Sequence, residues 1–198
     1  MAPSSSIELC ASDRGPLLDI ARGSINSGLE FRDPPELMLA ELPLVLRDKR
    51  GVFVTLLQRG KLRGCIGTLE AEEPLALAVA DSAYGAAFRD TRFAPLQVDE
   101  ADDISIEISV LTPMEPVAAR SRTDLLAALR PECDGLLIQE RQFRATFLPK
   151  VWRQLPDPDE FLNHLLAKAG LHQAYWSANL QCFRYQTLCF SGALSLQL

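Results

Sequence analysis

Apolar and polar residues alternate most regularly over Ile104-Ser105-Ile106-Glu107-Ile108-Ser109-Val110-Leu111. Strand side chains point alternately to two faces, so this pattern predicts a strand with Ile104, Ile106, Ile108 and Val110 in the core. Ser105, Glu107 and Ser109 then face the other way. Gly51 to Gln58 is β-branched and aromatic and predicts a second strand. Arg59-Gly60 makes a turn, and Leu62-Arg63-Gly64-Cys65-Ile66-Gly67 returns as the other arm of a hairpin. On that arm Leu62, Gly64 and Ile66 are expected on the core face, and Arg63, Cys65 and Gly67 on the opposite one. Gly135 to Gln139 and Phe143 to Phe147 predict a second hairpin. Leu180 to Phe190 predicts one last strand, with Phe183, Tyr185, Thr187 and Cys189 on one side.

Between these strands the apolar spacing turns helical. Leu18, Ala21 and Ile25 follow Pro16 on one face and predict a helix over Pro16 to Ile25, with Gly28 as its stop. Phe31 to Pro43 is broken by Asp33-Pro34-Pro35 and reads as irregular, with at most a short helix over Glu36 to Glu41. Glu70 to Pro74 opens an alanine-rich helix running to about Arg89, with Leu75, Val79, Ala83 and Ala86 as its apolar stripe. Ser121 to Arg130 predicts a short helix. Asp157-Pro158-Asp159-Glu160 starts another, which buries Phe161, Leu162, Leu165 and Ala169 and stops at Gly170. The order hairpin, helix, strand thus occurs over 51–111 and again over 135–190, as an internal duplication or as coincidence in a common order. The class is α+β, a mainly antiparallel sheet with packed helices. Residues 1–14 read as a flexible tail, 15–190 as a single domain, and 191–198 as a second tail.

Composition narrows the function classes. The net charge is −6 over 198 residues and the isoelectric point is about 5.0, which argues against nucleic acid as partner. The densest basic run is Arg47-Asp48-Lys49-Arg50. Five widely spaced cysteines without a CxxC pair suit neither a disulfide framework nor a zinc finger, and a reducing cytoplasm fits them. No apolar run reaches the length of a membrane span, and the first residues lack the pattern of a secretory signal.

The candidate chemistry centres on Arg63-Gly64-Cys65. A guanidinium beside a thiol stabilises the thiolate, and Gly64 and Gly67 let a ligand or another backbone approach closely. The alternative is a buried structural cysteine. Glu107 is solvated, paired with Arg63, or a general base, so Arg63, Cys65 and Glu107 form a constellation to be tested as catalytic. Asp90 and Arg92 either line a pocket mouth or tie a loop to its own helix end. Trp152 and Trp176 read as packing residues. No metal set is expected, and no residue pattern names a cofactor.

The run Gly51 to Leu56 followed by Leu62-Arg63-Gly64-Cys65-Ile66-Gly67-Thr68-Leu69 resembles the signature of the AMMECR domain family, whose prokaryotic members are called AmmeMemoRadiSam system protein A. Ala86 to Leu96, Ile108 to Pro113, Phe147-Leu148-Pro149 and Leu166 to Leu171 agree in order, so the resemblance covers roughly residues 15 to 190. It implies an α+β fold with a larger and a smaller lobe and a functional centre at Arg63–Cys65. The family's biochemical activity is not established. The resemblance further implies a pathway shared with a Memo-like protein and a radical SAM enzyme. The chain departs from the family pattern at Arg144-Ala145-Thr146, where a glycine commonly follows the arginine, and at Lys150, where glutamine is usual. Two functions from different classes follow. One is an enzyme or enzyme component with a small-molecule or peptide site. The other is an interaction module in which the Arg-Gly-Cys motif is structural.

Overall fold

The computed structural model describes residues 9–34 and 36–195. The helices are α1 (Ala11–Phe31), α2 (Leu44–Arg47), α3 (Leu75–Phe88), α4 (Arg122–Ala128) and α5 (Pro158–Lys168). The strands are β1 (Val52–Gln58), β2 (Lys61–Thr68), β3 (Ile104–Leu111), β4 (Glu115–Pro116), β5 (Gly135–Glu140), β6 (Phe143–Phe147), β7 (Gln181–Tyr185) and β8 (Thr187–Ala193). They form a mixed α+β fold with two four-stranded sheets, in the orders β2-β1-β3-β8 and β4-β7-β5-β6. The chain divides into two compact units, Met1–Leu111 with Leu188–Leu198, and Thr112–Thr187.

In the first unit α3 crosses from β2 to β3, and β1 lies between them, antiparallel to both. Val52, Val54 and Leu56 of β1 and Ile106, Ile108 and Val110 of β3 are fully buried in one cluster with Leu17, Ala21 and Ile25 of α1. The alternation read over 104–110 therefore sets the core face, as expected. The hairpin turn Arg59-Gly60 has both residues at positive φ, 49° and 79°, which suits the twist of a tight two-residue connection.

In the second unit Trp152, Phe161, Leu165 and Leu136 share a separate cluster. The Trp152 ring lies flat on Phe161 at 3.7 Å, and its indole N–H donates to the Asp134 carbonyl at 2.7 Å. Asp157 caps α5 by accepting from the Glu160 N–H at 2.9 Å, as its sequence start predicts.

Several boundaries differ from expectation. Helix α1 starts at Ala11, inside the stretch read as a tail, and runs past Gly28 to Phe31, with Arg32 in the left-handed conformation closing it. Gly28 is not a stop: a Cβ there would collide with the Phe88 ring, so this glycine allows close packing against α3. The last strand is two strands. Gln181–Tyr185 joins the second sheet and Thr187–Ala193 the first, with Gln186 between them. Continuous strand-like composition concealed the change of sheet, because period-two patterning does not record which neighbour a strand pairs with. Residues 191–194 of the expected second tail are ordered, since β8 reaches Ala193 and Leu194 is buried in the first core; the tail expectations for 1–8 and 196–198 lie outside the described residues.

Candidate functional site

The β1–β2 register places Thr55 opposite Cys65, and the β1–β3 register places Thr55 opposite Glu107. Thiol, hydroxyl and carboxylate therefore form one row across three strands, on the face opposite to Val54 and Leu56. The Thr55 hydroxyl donates to the Cys65 sulfur at 3.3 Å. Two strand spacings, about 10 Å, separate Cys65 from Glu107, so no proton passes directly between them and Thr55 occupies the interval.

Arg63 does not share that row. The register slips between Leu56–Gly64 and Leu57–Leu62, leaving Arg63 as the extra residue of a β-bulge. Because strand parity is two, one extra residue exchanges the faces beyond it. Leu62, expected in the core, is consequently 46 % exposed. The Arg63 guanidinium makes a bidentate pair with Glu100 at 2.8 and 2.9 Å, not with Glu107. That pairing raises the arginine and holds the Glu100 carboxyl below its ordinary range. The ring of Phe93 receives both the Arg63 and the Arg92 guanidinium, at 5.9 and 5.5 Å.

β2 is an edge strand, and its outer edge at Cys65 is closed by side chains. The Cys65 N–H donates to the buried Asp90 carboxylate at 2.9 Å, and Arg92 donates to the Cys65 carbonyl at 3.3 Å. Arg92 and Asp90 pair with each other at 2.6 Å. The Arg92 hydrogen bonds, joined by the Cys65 N–H, hold the Asp90 carboxyl far below the usual carboxylate range. Arg92 itself is raised, mainly by Asp90, with the charge of Cys65 as a lesser contributor. The guanidinium that touches the Cys65 backbone is thus that of Arg92, while Arg63 is held by Glu100. By contrast, burial pushes the Cys182 thiol up to about 11.

The two glycines of the motif meet protein backbone. A Cβ on Gly64 would run into the Ala86 carbonyl of α3, and one on Gly67 into Val52 and Phe53 of β1. Just beyond Gly67 a cleft of about 240 Å³ opens beside Thr68, Glu70, Glu73, Asp81 and Ser82. The structure brings Cys65 and Glu107 onto one row and joins Asp90 and Arg92 to the Cys65 backbone, while Arg63 turns to a partner of its own. The sequence reading passed over Thr55 and Glu100. Thr55 is the lone hydroxyl in a strand otherwise apolar up to its final Gln58, and Glu100 lies three residues after the capping Gln97, so each carried a faint signal. Among the described residues no group of three or more side chains is placed to hold a metal ion, and no helix is long and apolar enough to cross a membrane.

The AMMECR1 family model matches residues 18–190. A protein of Methanothermobacter thermautotrophicus is 40% identical over 177 residues, covering 88% of this chain and 91% of its own. One of Thermofilum pendens is 36% identical over 201 residues, covering 92% and 91%. Among solved structures, an uncharacterized protein of Pyrococcus horikoshii superposes with a TM-score of 0.81 at 30% identity, covering 88% of this chain and 89% of that one.

Proposed function

We propose, since the chain belongs to the AMMECR1 family, whose biochemical activity is not established, that it is an enzyme or enzyme component whose site is the row Cys65–Thr55–Glu107. A small molecule or an extended peptide would lie across that row. Cys65 is the nucleophile or contacting thiol, Thr55 steadies its thiolate, and Glu107 acts as acid, base or orienting group. Arg92, and Arg63 more remotely, supply positive charge. Asp90, Gly64 and Gly67 shape the strand that carries the thiol. The observation that carries this reading is the position of Thr55, opposite both the thiol and the carboxylate. All five cysteines are free, which supports a reducing, cytoplasmic setting. The family resemblance supports partnership with a Memo-like protein and a radical SAM enzyme. The matching orders β2-β1-β3 and β6-β5-β7 support an internal duplication as the origin of the two units.

The test is the alkylation rate of Cys65 in the folded protein against pH, with the modified site assigned by mass spectrometry. Cys65 should be labelled in the folded protein, at a rate that falls in Thr55→Val, which removes the donor at nearly constant volume, and in Arg92→Ala more than in Arg63→Ala. If Cys65 is modified only as the protein unfolds, the thiol is a packing group and this reading fails. The competing reading, an interaction module with a structural motif, draws on one observation. The close approaches at Gly64 and Gly67 are to protein backbone.

A further inference from the structure

On the helical side of the first unit, where α1 ends against α3, a cleft of about 340 Å³ lies between Leu29, Tyr84, Phe88 and the segment 95–98. We propose that this cleft binds a small apolar carboxylate, an aromatic or branched aliphatic body ending in one carboxyl group. Arg32 would receive the carboxylate and the Tyr84–Phe88 pair the body. The site goes beyond the Cys65 reading and does not depend on it.

Three features define the ligand. The volume falls in the lower part of the range for small-molecule sites, about 300–1,000 Å³. The walls are aromatic and aliphatic: Tyr84 and Phe88 stand 4.9 Å apart in a tilted pair, Leu96 is buried behind them, and Val98 at the rim is 56 % exposed. Such an apolar rim around an open cleft gains from being covered.

The third feature is Arg32. Its backbone is held at both ends, the N–H donating to the Gly28 carbonyl at 3.2 Å and the C=O accepting from the Tyr84 phenol at 2.7 Å. The left-handed conformation at φ 61° fixes the direction in which its side chain leaves the helix. Among the described residues no carboxylate pairs with its guanidinium, whereas Arg63, Arg89 and Arg92 are each taken by one. A single cation flanked in sequence by Glu30 and Asp33 suits a monoanion and disfavours a phosphate dianion. Leu96 donates to the Ala87 carbonyl at 2.9 Å, so the wall segment is anchored to α3. The same segment links Asp90, which holds Cys65, to Glu100, which holds Arg63. Occupancy of the cleft therefore steadies the loop that supports the motif strand.

The experiment is a backbone amide NMR titration of the full chain with 3-phenylpropionate, paired with 3-phenylpropionamide. Saturable shifts at the Gly28, Leu29, Gln97 and Val98 amides are expected at millimolar concentration. The amide should bind roughly five- to tenfold more weakly, the worth of one partly solvated charged hydrogen bond. Arg32→Asn, which tolerates the left-handed conformation, should reduce acid binding to the level of the amide, and Arg32→Lys should keep most of it. Tetrapeptides ending in phenylalanine, with free or amidated carboxyl, distinguish the source. Preference for the free peptide over 3-phenylpropionate assigns a chain terminus, and the reverse assigns a free acid; both support the site. Equal affinity for acid and amide, shifts confined to other regions, or no saturable shift overturns the proposal.

Discussion

Asp90 offers the sharpest test at the scale of a single residue. Its carboxylate is the acceptor for the Cys65 N–H on the outer side of β2. Asp90→Ala leaves that partly buried donor without its partner, and the expected cost is about 1–3 kcal/mol, read from denaturant unfolding at neutral pH. The pH dependence has a definite sign. The folded carboxyl titrates well below its unfolded value, near 3.9, so its stabilisation is complete above that value and fades as the pH falls toward the folded one. Asp90→Asn should therefore show a shallower loss of stability below about pH 4 than the parent chain. An unchanged acid limb would remove Asp90 from the list of stabilising groups. Sequence reading singled out Cys65 and Glu107 through residue type and strand parity, and Asp90 and Arg92 as opposite charges in a loop after a helix. It could not reach the pairing of Arg63 with Glu100, because that partner is chosen by the bulge, and a bulge leaves no mark in composition.

Element packing explains the glycines and the misplaced leucine together. Gly64 lets β2 lie against the backbone of α3, and Gly85 on the helix returns the favour by leaving room for Ile66, whose Cγ2 would stand 3.0 Å from an added Cβ. A methyl at position 64 has only a backbone carbonyl to displace, so Gly64→Ala should cost at least about 1–3 kcal/mol through overpacking. Gly23→Ala, in α1 with open space around it, should instead stabilise by roughly 0.5–1 kcal/mol. Thermal midpoints of the two variants should therefore move in opposite directions, and similar shifts would deny Gly64 its packing role. The helix–strand order was legible because apolar periodicity survives in this chain. The face of Leu62 was not, since one inserted residue reverses parity without altering the alternation around it.

For the whole molecule, the decisive fact is that residues 112–187 form one unbroken insertion that follows β3 and ends at the first residue of β8. Chain entry and exit meet there, with the Thr112 N–H donating to the Gln186 carbonyl at 2.9 Å. Both tryptophans, Trp152 and Trp176, lie in this insertion, so intrinsic tryptophan emission reports its folding. Phe161→Ala removes the ring stacked on Trp152 from a fully buried position and should cost about 3–5 kcal/mol, visible as a lower denaturation midpoint by emission. A midpoint within error of the parent would contradict the assigned core. Two separate cores and a strand divided at Gln186 lay beyond the reach of local patterning, since the residues on either side of Gln186 look like one strand.

The clasp of Asp90 and Arg92 on β2 has a consequence for life in a crowded solution. Strands at the rim of a sheet offer unpaired amides and carbonyls to any passing chain, and such rims seed aggregation. Here the N–H and C=O of the residue bearing the thiol are already occupied by a side-chain ion pair. The two residues that hold the Cys65 backbone thus also deny this point of the rim to foreign strands, and the protein's colloidal behaviour hangs on the same short loop.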